Sequence, residues 1–137
     1  MKYLIDTNII SEIQKSDCNP AVKSFIEKIP AEDIFLSVIT IGELSYGMEK
    51  LPAGKKKHKV ALWLYTELPK FFKGRVIPID TEVMLEWGKL RALSDRTMPT
   101  MDSLIAVSAL CHHMTLVTRN TRDFEGIAGI TLVNPWE

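Results

Sequence analysis

Cysteine is nearly absent from this sequence: Cys18 and Cys111 are the only two in 137 residues, far apart and outside any Cys-x-x-Cys spacing. That excludes a disulfide scaffold and a thiolate zinc site, and it fits reduced thiols in a cytoplasm. Long apolar runs are missing too. No stretch approaches the roughly 20 residues of a membrane-crossing helix, and the apolar run after Met1 stops at Asp6, too short for a signal peptide. A soluble, cytoplasmic protein without membrane association is expected. Nor is there an excess of charge, since seventeen basic side chains balance seventeen acidic ones. No global positive field recruits a polyanion, and any nucleic acid must be met locally. Repeats and low-complexity linkers are also lacking. What remains is an ordinary composition, 46% hydrophobic and 25% charged, over a length that suits a single domain spanning residues 1–137.

Short strand-like runs alternate with longer helical ones, the pattern of an α/β protein built on a parallel sheet. Strands are expected at residues 2–5, 34–37, 75–79, 115–118 and 130–133. Several lack polar alternation, as strands covered on both faces should. Between them Pro20 opens a helix over 20–28, and residues 40–50 form a second. Val60, Leu64, Leu68 and Phe71 make a helical stripe that Pro69 must kink or end. Val83, Trp87 and Leu90 repeat that spacing, and residues 102–112 are apolar on nearly every face, which predicts a helix packed centrally on the sheet.

The chemistry lies in where the carboxylates fall. In an open parallel sheet, sites form at the carboxyl ends of the strands, beside the switch in strand order. Asp6 follows the first strand, Glu43 lies on the helix after the second, Asp102 begins the apolar helix, and Asp123 follows the strand ending at Thr118. Each has a plainer use. Asp6 suits a helix N-cap, Thr40-x-x-Glu43 matches a capping box, Asp102 suits a helix's first turn with Thr100 as its cap, and Asp123 suits a turn. Jointly they point further. Clustered carboxylates raise one another's pKa and cost stability unless a cation joins them. Hard oxygen donors without His or Cys favour Mg²⁺ or Mn²⁺.

Four blocks carry a family resemblance: Asp6-Thr7-Asn8; Thr40-Ile41-Gly42-Glu43-Leu44-Ser45-Tyr46-Gly47; Met98-Pro99-Thr100-Met101-Asp102-Ser103-Leu104-Ile105-Ala106; and Thr118-Arg119-Asn120-Thr121-Arg122-Asp123-Phe124. In this order the chain resembles, over essentially its whole length, a PIN-domain ribonuclease of the VapC/FitB type. The resemblance implies a three-layer α/β/α fold around a central parallel five-stranded sheet. It also implies a metal-dependent endoribonuclease acting as the toxin of a type II toxin–antitoxin pair, a homodimer, and a small antitoxin that obstructs the site. It assigns Asp6, Glu43, Asp102 and Asp123 to the acidic site, with Thr7, Asn8, Thr118 and Asn120 as supporting polar groups.

On that reading Asp6 and Asp102 are the principal metal ligands. Glu43 is a ligand or a base acting through water, and Asp123 orients a second ion. Metal ions activate the attacking water and neutralise charge on the phosphate. RNA phosphates would meet Arg119, Arg122 and Arg96 near the acidic motifs, or the run Lys55-Lys56-Lys57-His58-Lys59, which serves equally as a solvated surface. The histidines His58, His112 and His113 lack ligand spacing. Trp63, Tyr65, Phe71 and Phe72 offer more aromatic surface than one short helix face buries, so an interface competes with core packing there. Other acidic-edge proteins fit less well: a dehalogenase-type phosphatase wants Asp-x-Asp where Asn8 stands, and a receiver domain using Asp80 lacks the paired acids after the first strand. A PIN-fold module that binds RNA or protein without cutting is the remaining alternative.

Overall fold

The computed structural model describes residues 1–95 and 97–137. Five parallel strands, β1 (Tyr3–Ile5), β2 (Ile34–Ser37), β3 (Val76–Ile77), β4 (Thr115–Val117) and β5 (Leu132–Val133), form one sheet in the order β3-β2-β1-β4-β5. The chain builds outward from β1 to β3, then returns to the other side of β1, where Tyr3 pairs with Thr115 and Ile5 with Val117. The order therefore reverses at β1, and a crevice opens where β1 and β4 end side by side. Strands are shorter than the sequence pattern predicts at β3 and β5. At β3 the reason is local, because Pro78 has no N–H to donate and cannot extend the ladder.

Alternate side chains along each strand feed opposite cores, which is what makes three layers. Ile5, Ile34, Leu36 and Val117 point to one face with Ile9, Ile10, Val22 and Leu64, whereas Leu4 and Leu116 point to the other with Ile105, Ala106 and Phe124. The first face is covered by α1 (Thr7–Ile13), α2 (Pro20–Glu27) and the helical path through α4 (Lys55–Leu62) and α5 (Leu68–Phe71). The second is covered by α6 (Thr81–Leu93) and α7 (Thr100–Cys111), whose buried run from Ile105 to Ala109 is the central helix that the sequence predicts. α3 (Val38–Glu49) leaves the top of β2.

Several helix ends differ from the sequence reading, each for a visible reason. Ser37 caps α3 by accepting from the Ile39 N–H at 3.0 Å, so the helix starts before Thr40 and the Thr40–Glu43 capping box is not formed. Pro99 precedes α7 and Thr100 is its first helical residue, so Thr100 is not the cap. Asp80 accepts from the Val83 N–H at 3.0 Å, a capping role that accounts for this acid. Pro69 neither ends nor sharply breaks its helix. A wider turn over Trp63–Glu67, in which the Leu68 N–H reaches back five residues to Trp63, absorbs the extra room that the proline ring needs. The lysine run forms the start of α4, where Lys57 Nζ donates to the Glu49 carbonyl at 3.1 Å. Among the described residues no helix is long and apolar enough to cross a membrane.

Candidate active site: an acidic cleft where β1 and β4 end

Asp6 stands at the crevice because the β1 ladder carries the chain there: its N–H donates to the Val117 carbonyl at 2.9 Å, and α1 starts at the next residue. One carboxylate oxygen accepts from the Thr7 N–H at 2.7 Å and the other from the Thr118 hydroxyl at 2.8 Å. The capping and the site readings of Asp6 are thus both realised, on different oxygens. The side chain is only 6% exposed. Burial pushes its carboxyl above the ordinary range, and the charges of Glu43 and Asp123 add to that, while the Thr118 and Thr7 hydrogen bonds pull it back.

Around Asp6 the supporting groups close a network. Having donated to Asp6, the Thr118 hydroxyl accepts from Asn8 Nδ2 at 3.4 Å and from the Asn120 N–H at 3.1 Å. Asn8 Oδ1 in turn accepts from the Arg119 N–H at 3.3 Å. α1 is thereby tied to the loop that follows β4. On the other side the Thr7 hydroxyl donates to Glu43 Oε1 at 2.5 Å and lies 3.2 Å from the Thr40 hydroxyl, so Glu43 faces α1 across the crevice. The structure thus brings Thr7, Asn8, Thr118 and Asn120 together around Asp6 and Glu43.

Asp102 arrives from the opposite layer, in the first turn of α7. Its backbone is fixed by its neighbour: Ser103 is fully buried, donates to the Thr100 carbonyl at 2.7 Å and accepts from Trp87 Nε1 at 2.9 Å, which locks the start of α7 onto α6. Among the described residues no hydrogen bond holds the Asp102 carboxylate itself. Its pKa is also raised, chiefly by burial and then by the charges of Asp6, Glu43 and Asp123. Burial therefore outweighs the mutual repulsion that sequence clustering suggests. Asp123 lies on a short turn of 3₁₀ helix (Thr121–Asp123), exposed and near enough for its charge to act on Asp6 and Asp102, but it does not line the cleft.

The cleft has a volume of about 410 Å³, and Asp6, Glu43 and Asp102 lie in its wall with Thr7, Asn8, Arg119 and Asn120. Arg122 is exposed on the 3₁₀ turn and outside the cleft, and Arg96 lies outside the described residues. Sequence reasoning misses Ser11, Glu12, Lys15 and Trp136, which complete the lining. A signal for two of them exists, since Asn8, Glu12 and Lys15 repeat at helical spacing and make a polar stripe from Asp6 along α1. For Trp136 nothing in the sequence points to the site.

The donors suit a hard divalent cation: four carboxylates, Asp6, Glu12, Glu43 and Asp102, and no imidazole or thiolate line the cleft; Glu12 is already paired with Lys15, and Asp6 and Asp102 are destabilised as anions by burial. Among the described residues no three acidic, His or Cys side chains close tightly around one point. An ion of the magnesium class keeps several waters and uses one or two carboxylates, so it needs no closed cage of protein ligands.

Comparison with known proteins agrees with this geometry. The PIN domain family matches residues 3–130. The VapC ribonuclease Y4jK of Sinorhizobium fredii is 35% identical, over 98% of this chain and 97% of that protein. The crystal structure of FitAcB from Neisseria gonorrhoeae superposes with a TM-score of 0.91 at 33% identity, over 98% of this chain and 99% of that one. A toxin-antitoxin complex from Klebsiella pneumoniae superposes with a TM-score of 0.73 at 27% identity, over 99% of each chain.

Proposed function

This chain belongs to the PIN domain family, and we propose that it is a cytoplasmic, metal-dependent endoribonuclease of the VapC/FitB type, the toxin of a type II toxin–antitoxin pair. The observation that carries this reading is the convergence of Asp6, Glu43 and Asp102, from three separate elements, on one cleft at the sheet's switch point. Asp6 and Asp102 would hold a Mg²⁺ or Mn²⁺ ion, with Glu43 as a further ligand or through water. When bound, such an ion activates water and neutralises charge on the phosphate. Thr118 and the Thr7 N–H fix the Asp6 carboxylate in one orientation before substrate arrives. Thr7 holds Glu43 Oε1, which leaves Oε2 to take the proton of the water that attacks the phosphorus in line, as the P–O bond opposite the water breaks and the departing ribose oxygen takes a proton from solvent. Arg119 on the rim meets RNA phosphate. Asp123, outside the cleft, acts on the site through its charge and would orient a second ion once substrate is bound.

RNA with unpaired nucleotides suits a cleft that must present one phosphodiester to buried carboxylates. For the antitoxin we assign the apolar groove lined by Ile10, Ile13, Ile26, Trp63, Leu68 and Phe71, with Phe71 half exposed. The exposed Leu85 and Leu93 of α6 and Met101 of α7 are the surface we assign to a second copy of the chain. Antitoxin-free protein should cleave a panel of RNAs with Mg²⁺ or Mn²⁺ and stop in EDTA. Asp6→Asn and Asp102→Asn should each lose cleavage by on the order of 10²–10³ while melting cooperatively. Activity that survives EDTA, or both substitutions, would overturn the metal mechanism.

A further inference from the structure

On the rim of the acidic cleft stand two cations, Arg119 and Lys15, and each is held by a residue that takes no part in the chemistry described above. The Arg119 guanidinium lies over the Trp136 ring at 4.8 Å from its centroid. Trp136 is itself packed against the apolar core beneath α1. The backbone around this pair is tied on both sides: Arg119 donates its N–H to Asn8 Oδ1 at 3.3 Å, and its carbonyl accepts from Asn134 Nδ2 at 3.1 Å. Asn134 Oδ1 then accepts from the Trp136 N–H at 2.9 Å. A cation–π contact occupies the face of a guanidinium, whereas its N–H donors lie in the plane. The contact with Trp136 therefore holds the guanidinium near the ring without using its N–H donors. Among the described residues no salt bridge or hydrogen bond engages those donors.

Lys15 is held differently. Its Nζ pairs with Glu12 Oε1 at 3.2 Å, and the other oxygen of Glu12 accepts from the Asn19 N–H at 2.8 Å. Glu12 is buried, so a carboxylate that is itself tied to backbone anchors the ammonium on the cleft wall. Its pKa is lowered, first by the Asn19 N–H and then by Lys15 and the charge of Arg119, which places both cations in one electrostatic neighbourhood.

We propose that Arg119 and Lys15 form a two-cation clamp for an RNA backbone phosphate that flanks the scissile one, with Trp136 and Glu12 as the positioning residues of the clamp. This rests on the nuclease reading for the identity of the ligand. A planar donor edge and a point charge suit a phosphate with two free oxygens. The division of labour follows from charge: the buried carboxylates repel a phosphodiester, so a chain of phosphates needs a cationic hold outside the acidic centre before one of them can enter it.

The test uses a fluorescent single-stranded RNA titrated with the full-length protein across a salt series in EDTA, which withholds the metal so that the RNA binds without being cut. Replacing Arg119 and Lys15 together by Ala should flatten the slope of log affinity against log salt by about 0.7, the value for one phosphate contact on a single strand, and Arg119→Ala or Lys15→Ala alone should flatten it by part of that. Trp136→Ala should weaken binding about threefold, and Trp136→Phe should restore most of it, because an aromatic face remains. With cleavable RNA and Mn²⁺, all three alanine variants should raise KM and leave kcat near wild type. An unchanged slope in both cation variants, or a Trp136→Phe variant as weak as Trp136→Ala, would overturn the clamp. Wild-type protein that cleaves while the slopes stay unchanged loses the clamp and keeps the nuclease reading. Slopes that flatten in a protein that never cleaves do the reverse.

Discussion

The two walls of the cleft are built on different terms. On the β1 side, Asp6 and Glu43 are pinned: both Asp6 oxygens and one Glu43 oxygen accept hydrogen bonds, and Thr118, Asn8 and Thr7 tie three elements together around them. On the α7 side, Asp102 has its backbone locked through Ser103 and Trp87 but no hydrogen bond on its carboxylate among the described residues. Both acids are pushed toward the neutral form by burial. For Asp6 the hydrogen bonds return part of that cost, so the residue is structural as well as functional. For Asp102 nothing comparable does. An anion buried without compensation lowers stability unless a ligand supplies the missing charge. The contrast teaches that one acid of the site is folded into the scaffold and the other is kept at a cost.

Breaking the pinned side should have the largest effect on activity. Thr118→Val keeps the shape of the side chain, strips the hydroxyl from Asp6, Asn8 and Asn120, and should slow metal-dependent RNA cleavage by about 10–100-fold, as loss of an orienting group does at a metal site. A rate within twofold of wild type would mean that the network is dispensable for orientation. Stability should then separate the walls by sign. Asp6→Ala removes the acceptor of a helix-start N–H and of a buried hydroxyl, and should lower the melting temperature in EDTA by roughly 5–10 °C. Asp102→Asn deletes a partly buried charge at nearly constant volume and should raise it by about 1–3 °C, a small gain because solvent partly screens the group. The pH dependence follows from direction. A carboxyl whose folded pKa is raised stabilises the fold fully below its ordinary value of 3.8 and loses that contribution as pH climbs through the raised value. The advantage of Asp102→Asn should therefore be greatest near neutral pH and vanish toward pH 4. Thermal melts across pH check it, and a variant that melts below wild type at pH 7 would make Asp102 a helix-start residue only.

Much of this was legible in the sequence, and the reasons differ by residue. The α/β alternation, the five strands and the buried α7 follow from hydrophobic pattern, because a parallel sheet covered on both faces leaves a strong signal. The four acidic positions follow from their places after strands and at helix starts. Helix beginnings were misjudged where two caps compete: Ser37 lies three residues before Thr40, and pattern alone does not decide which hydroxyl takes the free N–H groups. Asp123 stands on a 3₁₀ turn outside the cleft wall, and its charge still reaches Asp6 and Asp102. Trp136 was invisible as a site residue because its role depends on Arg119, a partner recognised only in space, whereas Glu12 and Lys15 left a trace in their helical spacing after Asn8.

The central claim is that the cleft between these walls binds a divalent cation through Asp6 and Asp102. The direct measurement is calorimetric titration of Mn²⁺ into the protein, free of antitoxin and RNA, beside Asp102→Asn and the distant control Asp80→Asn, which touches only the cap of α6. Saturable binding in wild type and Asp80→Asn, lost or weakened by about 10-fold or more in Asp102→Asn, is the expected result. Equal Mn²⁺ affinity in all three proteins would contradict it.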